Sequence, residues 1–208
     1  MPETNGMFNG IFKIVMIELV FTTNNENKIK EINALLPKSF KILNLKDIGC
    51  NEDIPETANT IEGNAILKAK YVYEKYGYNC FADDTGLEIN ALHGEPGVYS
   101  ARYAGKEKNA DKNMDKVLQK LAPFSNRAAQ FKTVVALVIN GKLSTFEGII
   151  EGKITKEKHG KDGFGYDPIF KPNGYKITFA EMPLSEKNNI SHRGRAVKKL
   201  IDFLNSKK

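Results

Sequence analysis

The sequence predicts an α/β protein, because strand-like and helix-like patterns alternate in its first part and a β-hairpin follows in its second. The strand-like runs cover residues 18–23, 40–45, 80–82, 131–139 and 143–154, and the helical patterns cover 28–36, 60–76, 108–121 and the residues after Ser191. Asn140-Gly141, between the last two strands, is the strongest short signal of a hairpin turn. With 208 residues, 41% of them hydrophobic, the chain suits one sizeable domain or two lobes that share a core.

The net charge of the chain indicates which kind of partner it binds. The 31 basic and 25 acidic residues give a net charge of +6 and a pI near 9.1, which favours a polyanionic ligand, either a nucleic acid or a phosphorylated small molecule. The basic residues are spread along the chain rather than gathered in a tail.

Cys50 and Cys80 form no CxxC motif, so no disulfide framework or zinc site is predicted and a reducing, cytoplasmic setting is favoured.

The N-terminal segment predicts neither a signal peptide nor a membrane helix. Its most apolar run, residues 7–21, is interrupted by Lys13 and Glu18, is too short to span a bilayer and has no small-residue cleavage site. We therefore expect residues 1–15 to be an extension outside the core and residues 16–208 to form a single domain.

The first strand leads through a polar loop into a helix, a geometry whose backbone N–H groups can hold a phosphate. Asn24 or Asn25 is placed to cap the helix, and Lys28 in its first turn opposes the helix dipole, so a negative group is expected nearby. The candidate binding residues of this segment are Thr23, Asn24, Asn25, Glu26, Asn27 and Lys28. An ordinary strand-to-helix turn accounts for the same pattern equally well.

Asp83 and Asp84 are the centre of the predicted site. They end a short apolar run and precede Thr85 and a glycine, and because adjacent acids repel, holding them at a strand end requires a cation or a proton. Mg²⁺ is the simplest such cation, since it prefers a few carboxylates together with water and substrate phosphate. A surface turn of Asp-Asp-Thr-Gly is the alternative.

Lys68 is predicted on the inward face of the second helix, in one stripe with apolar residues. An inward lysine needs an anionic partner, unless its stem packs while its ammonium reaches water. Glu56 lies in an acidic loop shortly before that helix.

A glycine-rich run at residues 160–168 offers groups for a planar ligand. Phe164 and Tyr166 carry rings that can stack on a base, Asp167 can accept hydrogen bonds, and glycines such as Gly165 let the backbone approach. A corner filled by core aromatic residues is the alternative.

A cluster of donors surrounds the start of the last helix. Ser191 is a good N-cap, which places His192 and Arg193 in the first turn, and Lys187 lies four residues before it. Donors crowded at a helix N-terminus suit an acceptor-rich ligand.

Seven segments, in this order, resemble the inosine/xanthosine triphosphate pyrophosphatase family, the house-cleaning nucleotide hydrolases. They are residues 23–28 (TNNENK), 56–57 (ET), 64–69 (NAILKA), 82–86 (ADDTG), 97–103 (GVYSARY), 163–168 (GFGYDP) and 190–194 (ISHRG). Each motif is weak alone, but seven in order, over about residues 19–204, are specific. The departures of this sequence from the family's motifs are small. In the first loop, Asn24 and Asn27 stand where the family usually has glycine.

The resemblance implies a two-lobed α/β protein with a long central mixed β-sheet flanked by helices, a substrate cleft between the lobes, and a homodimer. The implied reaction is Mg²⁺-dependent hydrolysis of ITP, dITP or XTP to the monophosphate and pyrophosphate. Asp84 is the expected general base and a metal ligand, Glu56 a second metal ligand, and Asp83 a supporting residue. The remaining expected substrate contacts are Thr23, Asn25, Lys28 and Lys68 at the phosphates, and Phe164, Asp167, Lys187, His192 and Arg193 at the base. Thr85 is a further expected substrate contact, with no part of the substrate assigned to it.

Two other functions are compatible with parts of this pattern. One is a pyrophosphatase of other modified or pyrimidine nucleotides, and the other is a non-catalytic nucleotide or RNA sensor that uses the basic charge. A sensor predicts a degraded acidic site, whereas Glu56, Asp83 and Asp84 are all present. We expect neither nucleic acid nor membrane as a partner.

Overall fold

One mixed β-sheet with helices on its faces organises the molecule. The computed structural model describes residues 16–207, so the predicted extension at 1–15 lies outside the described residues. The strands are β1 (Ile17–Phe21), β2 (Phe40–Leu43), β3 (Cys80–Ile89), β4 (Pro96–Gly97), β5 (Ala128–Ile139), β6 (Lys142–Ile154) and β7 (Phe170–Pro172). The α-helices are α1 (Glu26–Leu35), α2 (Ile61–Tyr76), α3 (Ala110–Leu121), α4 (Leu184–Ile190) and α5 (His192–Asn205).

The sheet has the strand order β2-β1-β3-β5-β6-β7, with β4 paired to β3. The β1–β2 and β1–β3 pairs are parallel, and the pairs from β3 onward are antiparallel, which confirms the α/β class and the mixed sheet. The predicted hairpin is also confirmed. Its turn residues Asn140 and Gly141 have φ of 50° and 75°, as a two-residue turn that matches strand twist requires.

The position of Asp83 and Asp84 in the sheet differs from the prediction. They do not end a strand but lie in the middle of β3, which continues to Ile89 and pairs with β5 along its whole length. Beyond the two acids, β3 again carries core residues, since Leu87 and Ile89 are fully buried. Repulsion between the adjacent acids is reduced because successive side chains of a strand point to opposite faces.

Three apolar clusters give the molecule two lobes. The first lobe comprises a cluster on α2, which includes Cys80 and Ala82 of β3, and a cluster on the other face, which includes Phe81 and packs on α1 and α5. The second lobe is the cluster that includes Leu87 and Ile89 together with residues of α3 and β7. The polar middle of β3 therefore lies at the junction of the two lobes.

Helix positions largely follow the sequence patterns. The predicted caps Asn25 and Ser191 accept hydrogen bonds from backbone N–H groups of α1 and α5, and Thr60, which was not predicted as a cap, does the same for α2. The separate short helix α4 was not predicted. Within residues 16–207, no helix is both long and apolar enough to cross a bilayer.

Gly148 lets α5 pack directly against β6. A Cβ at this position would collide with the backbone oxygen of His192 and would lie 2.6 Å from the backbone nitrogen of Ala196. Because both are main-chain atoms, neither can move away without displacing the helix. The absence of a side chain at Gly148 therefore fixes the first turn of α5 against the sheet.

We expect Gly148→Ala to destabilise the protein by about 1–3 kcal/mol, the usual cost of overpacking a close contact. The change is measured as the shift in free energy of unfolding by denaturant titration. Glu151→Ala is the control, since Glu151 is an exposed residue of the same strand and should change stability by less than about 0.5 kcal/mol. Equal stability of the Gly148 variant and the native protein would contradict the close contact.

Candidate active site

A cleft of about 770 Å³ lies between the two lobes. The sequence-predicted residues that line it are Thr23, Asn24, Asn25, Asn27, Lys28, Glu56, Lys68, Asp84, Thr85, Phe164, Gly165, Tyr166, Asp167, Lys187, His192 and Arg193. Glu26 and Asp83 are the exceptions, because neither lines the cleft: Glu26 is exposed at the start of α1, and Asp83 is buried in β3. The structure thus brings residues from distant parts of the chain to one cavity.

The loop between β1 and α1 is shaped by its own side chains. Asn25 Oδ1 accepts hydrogen bonds from the backbone N–H groups of Asn27 at 3.0 Å and Lys28 at 3.2 Å, and Thr23 Oγ1 accepts one from the N–H of Asn25 at 3.2 Å. These contacts hold the N-terminus of α1 beside the cleft, where its dipole favours an anion.

The two adjacent aspartates have different environments. Asp83 is 1% exposed, and it accepts hydrogen bonds from Lys28 Nζ at 2.9 Å and Arg193 Nε at 3.0 Å. Burial alone would raise the pKa of Asp83, but Lys28 and Arg193 outweigh it and hold that pKa well below its usual range. Asp83 is therefore the negative group that the sequence predicts beside Lys28.

Asp84 faces the cleft with weaker partners. Its carboxylate lies 3.4 Å from both Lys68 Nζ and Asn64 Nδ2. Burial raises the pKa of Asp84, and Lys68 and Lys28 oppose that shift only in part. A carboxyl whose pKa is raised in a cleft is suited to accept or donate a proton.

Lys68 joins Asp84 to Glu56. Its ammonium points inward, as predicted, and donates to Glu56 Oε1 at 2.7 Å. Burial alone would lower the pKa of Lys68, but Asp84 and Glu56 outweigh it and raise that pKa, so the lysine stays charged. Burial would likewise raise the pKa of Glu56, yet the charge of Lys68 lowers it.

Glu56 and Asp84 are carboxylates of the cleft that would hold a divalent metal. They share one ammonium, so they lie close enough to act together. Over residues 16–207, no group of three or more His, Cys, Asp or Glu is placed to hold a metal. Mg²⁺ commonly uses only one or two carboxylates and completes its shell with water and substrate phosphates.

A second, buried ion network borders the cleft. Glu31 of α1 accepts from Lys187 Nζ at 2.7 Å and from Arg193 Nη1, and Lys187 also donates to Asp167 Oδ2 at 2.6 Å. Burial would raise the pKa of Glu31, but Arg193 and Lys187 outweigh it and lower that pKa. Sequence analysis missed Glu31, whose only signal was its position beside the inward Ile32.

This network positions the ring of Phe164. The same Asp167 oxygen accepts the backbone N–H of Phe164 at 2.7 Å, and Lys187 Nζ and Arg193 Cζ lie 5.0 Å and 5.5 Å from the centre of the Phe164 ring. Phe164 is half-buried and lines the cleft. Its ring is thus held by fixed charges rather than by apolar packing alone.

Tyr166 and His192 are packed more tightly than a free binding surface would be. Tyr166 is 5% exposed, belongs to the second-lobe core and donates its hydroxyl to Ser100 O at 2.8 Å, so the core-aromatic alternative holds for this ring. His192 stacks on Phe131 with ring centres 4.6 Å apart. Burial keeps the pKa of His192 well below its usual value, and its Nδ1 has no hydrogen-bond partner in the described part of the chain.

Arg102 was part of a recognised motif, but the sequence assigned it no role. It follows β4 in a short 3₁₀ turn, Ser100–Arg102, and lines the cleft from the second lobe. Its Nη1 lies 3.7 Å from Glu56 Oε2.

Comparisons with known proteins agree with this architecture. The model of the Ham1 family matches residues 19–203. A dITP/XTP pyrophosphatase of Flavobacterium psychrophilum is 64% identical over 90% of this chain and 98% of the relative. A dITP/XTP pyrophosphatase of Flavobacterium johnsoniae is 63% identical over 92% of this chain and its own full length.

Two solved structures are similar over nearly the whole described chain. The Ham1 protein of Staphylococcus aureus has a TM-score of 0.84 and 38% identity, covering 92% of this chain and 100% of that one. A HAM1 protein from Coxiella burnetii has a TM-score of 0.85 and 40% identity over the same shares.

We expect Asp83→Asn to lower the free energy of unfolding by about 3–5 kcal/mol at neutral pH, because the buried Arg193 and the partly buried Lys28 lose their shared anion. The folded-state pKa of Asp83 lies below its ordinary value of 3.8, so its contribution is present above that pH and is lost as the pH falls. The native and variant stabilities, measured by denaturant titration, should therefore converge under acid conditions. Asp202→Asn, at an exposed site of α5, is the control, and a constant difference at every pH would contradict the assignment.

Proposed function

Because this chain belongs to the Ham1 family, we propose that it hydrolyses dITP, ITP and XTP to the nucleoside monophosphate and pyrophosphate. The two relatives of 63–64% identity, which are matched over 98–100% of their own length, carry the name dITP/XTP pyrophosphatase. The observation that supports the activity most directly is the cluster of Asp84, Lys68 and Glu56 in the cleft, with Phe164 at its other end. Acidic, cationic and aromatic groups in that order match a metal-bound triphosphate joined to a base.

Asp84 is the proposed general base. It takes a proton from the water that attacks the α-phosphorus, and the bond from that phosphorus to the bridging oxygen breaks. Burial raises the pKa of Asp84, which makes its carboxylate a stronger base than that of an exposed aspartate. Asp83 cannot replace it, because it is held ionised between two cations outside the cleft lining.

The leaving pyrophosphate requires charge neutralisation, which is the main contribution of a protein to phosphoryl transfer. Lys28 and Lys68 line the cleft beside Asp84, and the capped N-terminus of α1 adds backbone donors. Thr23, Asn25 and Thr85 supply further polar groups. Asp84 and Glu56 would hold Mg²⁺, which when bound neutralises phosphate charge and makes water easier to deprotonate.

Base selection follows from donors placed at the ring edge. Hypoxanthine and xanthine carry a 6-oxo acceptor, whereas adenine carries an amine donor at that position. Lys187, His192 and Arg193 would present donors there while Phe164 stacks on the base. A donor facing a donor leaves buried polar groups unpaired, which can discriminate by about 10⁴-fold or more.

We also propose Mg²⁺ as the metal, a homodimer as the assembly and the cytoplasm as the location. The metal follows from the two-carboxylate donor set, and the location from two free, buried cysteines. The dimer rests on the family resemblance and is checked by light scattering. Neither nucleic acid nor membrane is part of the proposed function.

The proposal is tested by pyrophosphate release from ITP, dITP, XTP, GTP, ATP, dTTP and dUTP, with Mg²⁺ and with chelator. We expect the first three substrates to be turned over far faster than the others, and only with metal. Faster hydrolysis of the pyrimidine nucleotides would favour a different nucleotide pyrophosphatase. Binding of the nucleotides without any turnover would favour a sensor.

We expect Asp84→Asn to lower kcat on dITP by roughly 10²–10⁴-fold, the usual effect of removing an acid–base group. The amide keeps the shape of the side chain, so a thermal melt should show a folded protein. Asp162→Asn is the matched control, because Asp162 is exposed and does not line the cleft. Native turnover by the Asp84 variant would exclude Asp84 as the base.

A further inference from the structure

Arg102 stands at one end of a line of contacts through the cleft. Starting near Phe164, Arg193 Nη2 donates to Thr85 Oγ1 at 3.2 Å, next to Asp84. Asp84 then lies 3.4 Å from Lys68 Nζ, and Lys68 lies 2.7 Å from Glu56, whose other oxygen is 3.7 Å from Arg102. In this order of contacts, Arg102 and the ring of Phe164 are at opposite ends, and Asp84, the proposed general base, lies between them.

The Arg102–Glu56 contact is the loose member of this line. Its 3.7 Å separation is longer than a hydrogen bond, whereas Glu56 has a closer partner in Lys68. The side chains of Arg102 and Glu56 are each 29% exposed, and a half-exposed ion pair of this kind costs little to break. The ring of Tyr99 also lies beside it, with its centre 5.4 Å from Arg102 Cζ. Among the described residues, Arg102 is thus a cation of the cleft with no carboxylate at hydrogen-bond distance.

Arg102 also reaches the cleft from a different lobe than the other phosphate-end cations. Lys28 belongs to α1 and Lys68 to α2, both in the first lobe. Arg102 and Lys108 come from the segment between β4 and α3, and both line the cleft. A triphosphate held only by the first lobe would have one charged side uncovered.

We propose that Arg102 binds the β- and γ-phosphates from the second lobe, and that substrate binding transfers it from Glu56 to the phosphate oxygens. This inference rests on the proposed hydrolysis of nucleoside triphosphates. The planar guanidinium can give two parallel hydrogen bonds to a phosphate, which an ammonium cannot. The exchange removes one of the two cations beside Glu56, which would make that carboxylate more available to hold a metal, and gives Arg102 a better anion.

The test is calorimetric binding of two probes, inorganic tripolyphosphate and inosine monophosphate, in chelator. Arg102→Ala should weaken tripolyphosphate binding by roughly 10- to 100-fold, the range for a charge-assisted hydrogen bond. Binding of the monophosphate, which lacks the β- and γ-phosphates, should change by less than about 2-fold. Arg102→Lys should recover only part of the tripolyphosphate affinity that Arg102→Ala loses. Lys106→Ala, in the same segment but outside the cleft lining, is the matched control.

Two results would overturn the proposal. One is native affinity for tripolyphosphate in Arg102→Ala, and the other is an equal loss for both probes, which indicates a structural role. The proposed function fails separately, if the native protein releases no pyrophosphate from dITP, ITP or XTP. Metal-free probe binding does not depend on that outcome.

A double-mutant cycle tests the exchange itself. Glu56→Gln removes the carboxylate that competes for Arg102, so it should tighten tripolyphosphate binding in chelator. If Glu56 competes with the phosphates for Arg102, part of this gain in affinity comes from releasing Arg102. The gain from Glu56→Gln should therefore be smaller when Arg102 is already replaced by alanine. An equal gain in both backgrounds would show that Glu56 and Arg102 act independently and would overturn the exchange.

Discussion

Asp83 is a carboxylate without access to solvent, and three elements of the fold meet at it. It belongs to β3 and accepts hydrogen bonds from Lys28 of α1 and Arg193 of α5. A buried charge is tolerated only when it is paired and hydrogen-bonded, so each of the three groups requires the other two. Through Arg193 the pairing continues to Glu31, Lys187 and Asp167, which places the Phe164 loop.

The pleat of β3 explains how adjacent acids take unlike tasks. Asp83 faces the side of α1 and α5, where cations hold it ionised, whereas Asp84 faces the cleft and shares Lys68 with Glu56. One carboxylate therefore stabilises the architecture and leaves the other available for chemistry. Such a division is not evident in an Asp-Asp pair until the strand is known to continue beyond it.

Features that depend on local sequence were predicted well, and features that depend on tertiary pairing were not. The hairpin at Asn140-Gly141, the cap Ser191 and the inward Lys68 follow from turn chemistry and helical periodicity. The continuation of β3 past Asp84 and the burial of Glu31 depend on cations that come from distant parts of the chain. Tyr166 was a candidate for stacking on the base, with core packing as the alternative, because a ring suits both, and only the fold separates the two.

The continuous ladder between β3 and β5 limits how the cleft can close. These strands pair without interruption from Cys80–Val138 to Ile89–Ala129, and both run through the two lobes. A sharp hinge across them would break several main-chain hydrogen bonds at once. The ladder therefore holds Asp84 and Thr85 at a fixed register opposite Val134 and Thr133, so the centre of the cleft is assembled before any ligand arrives.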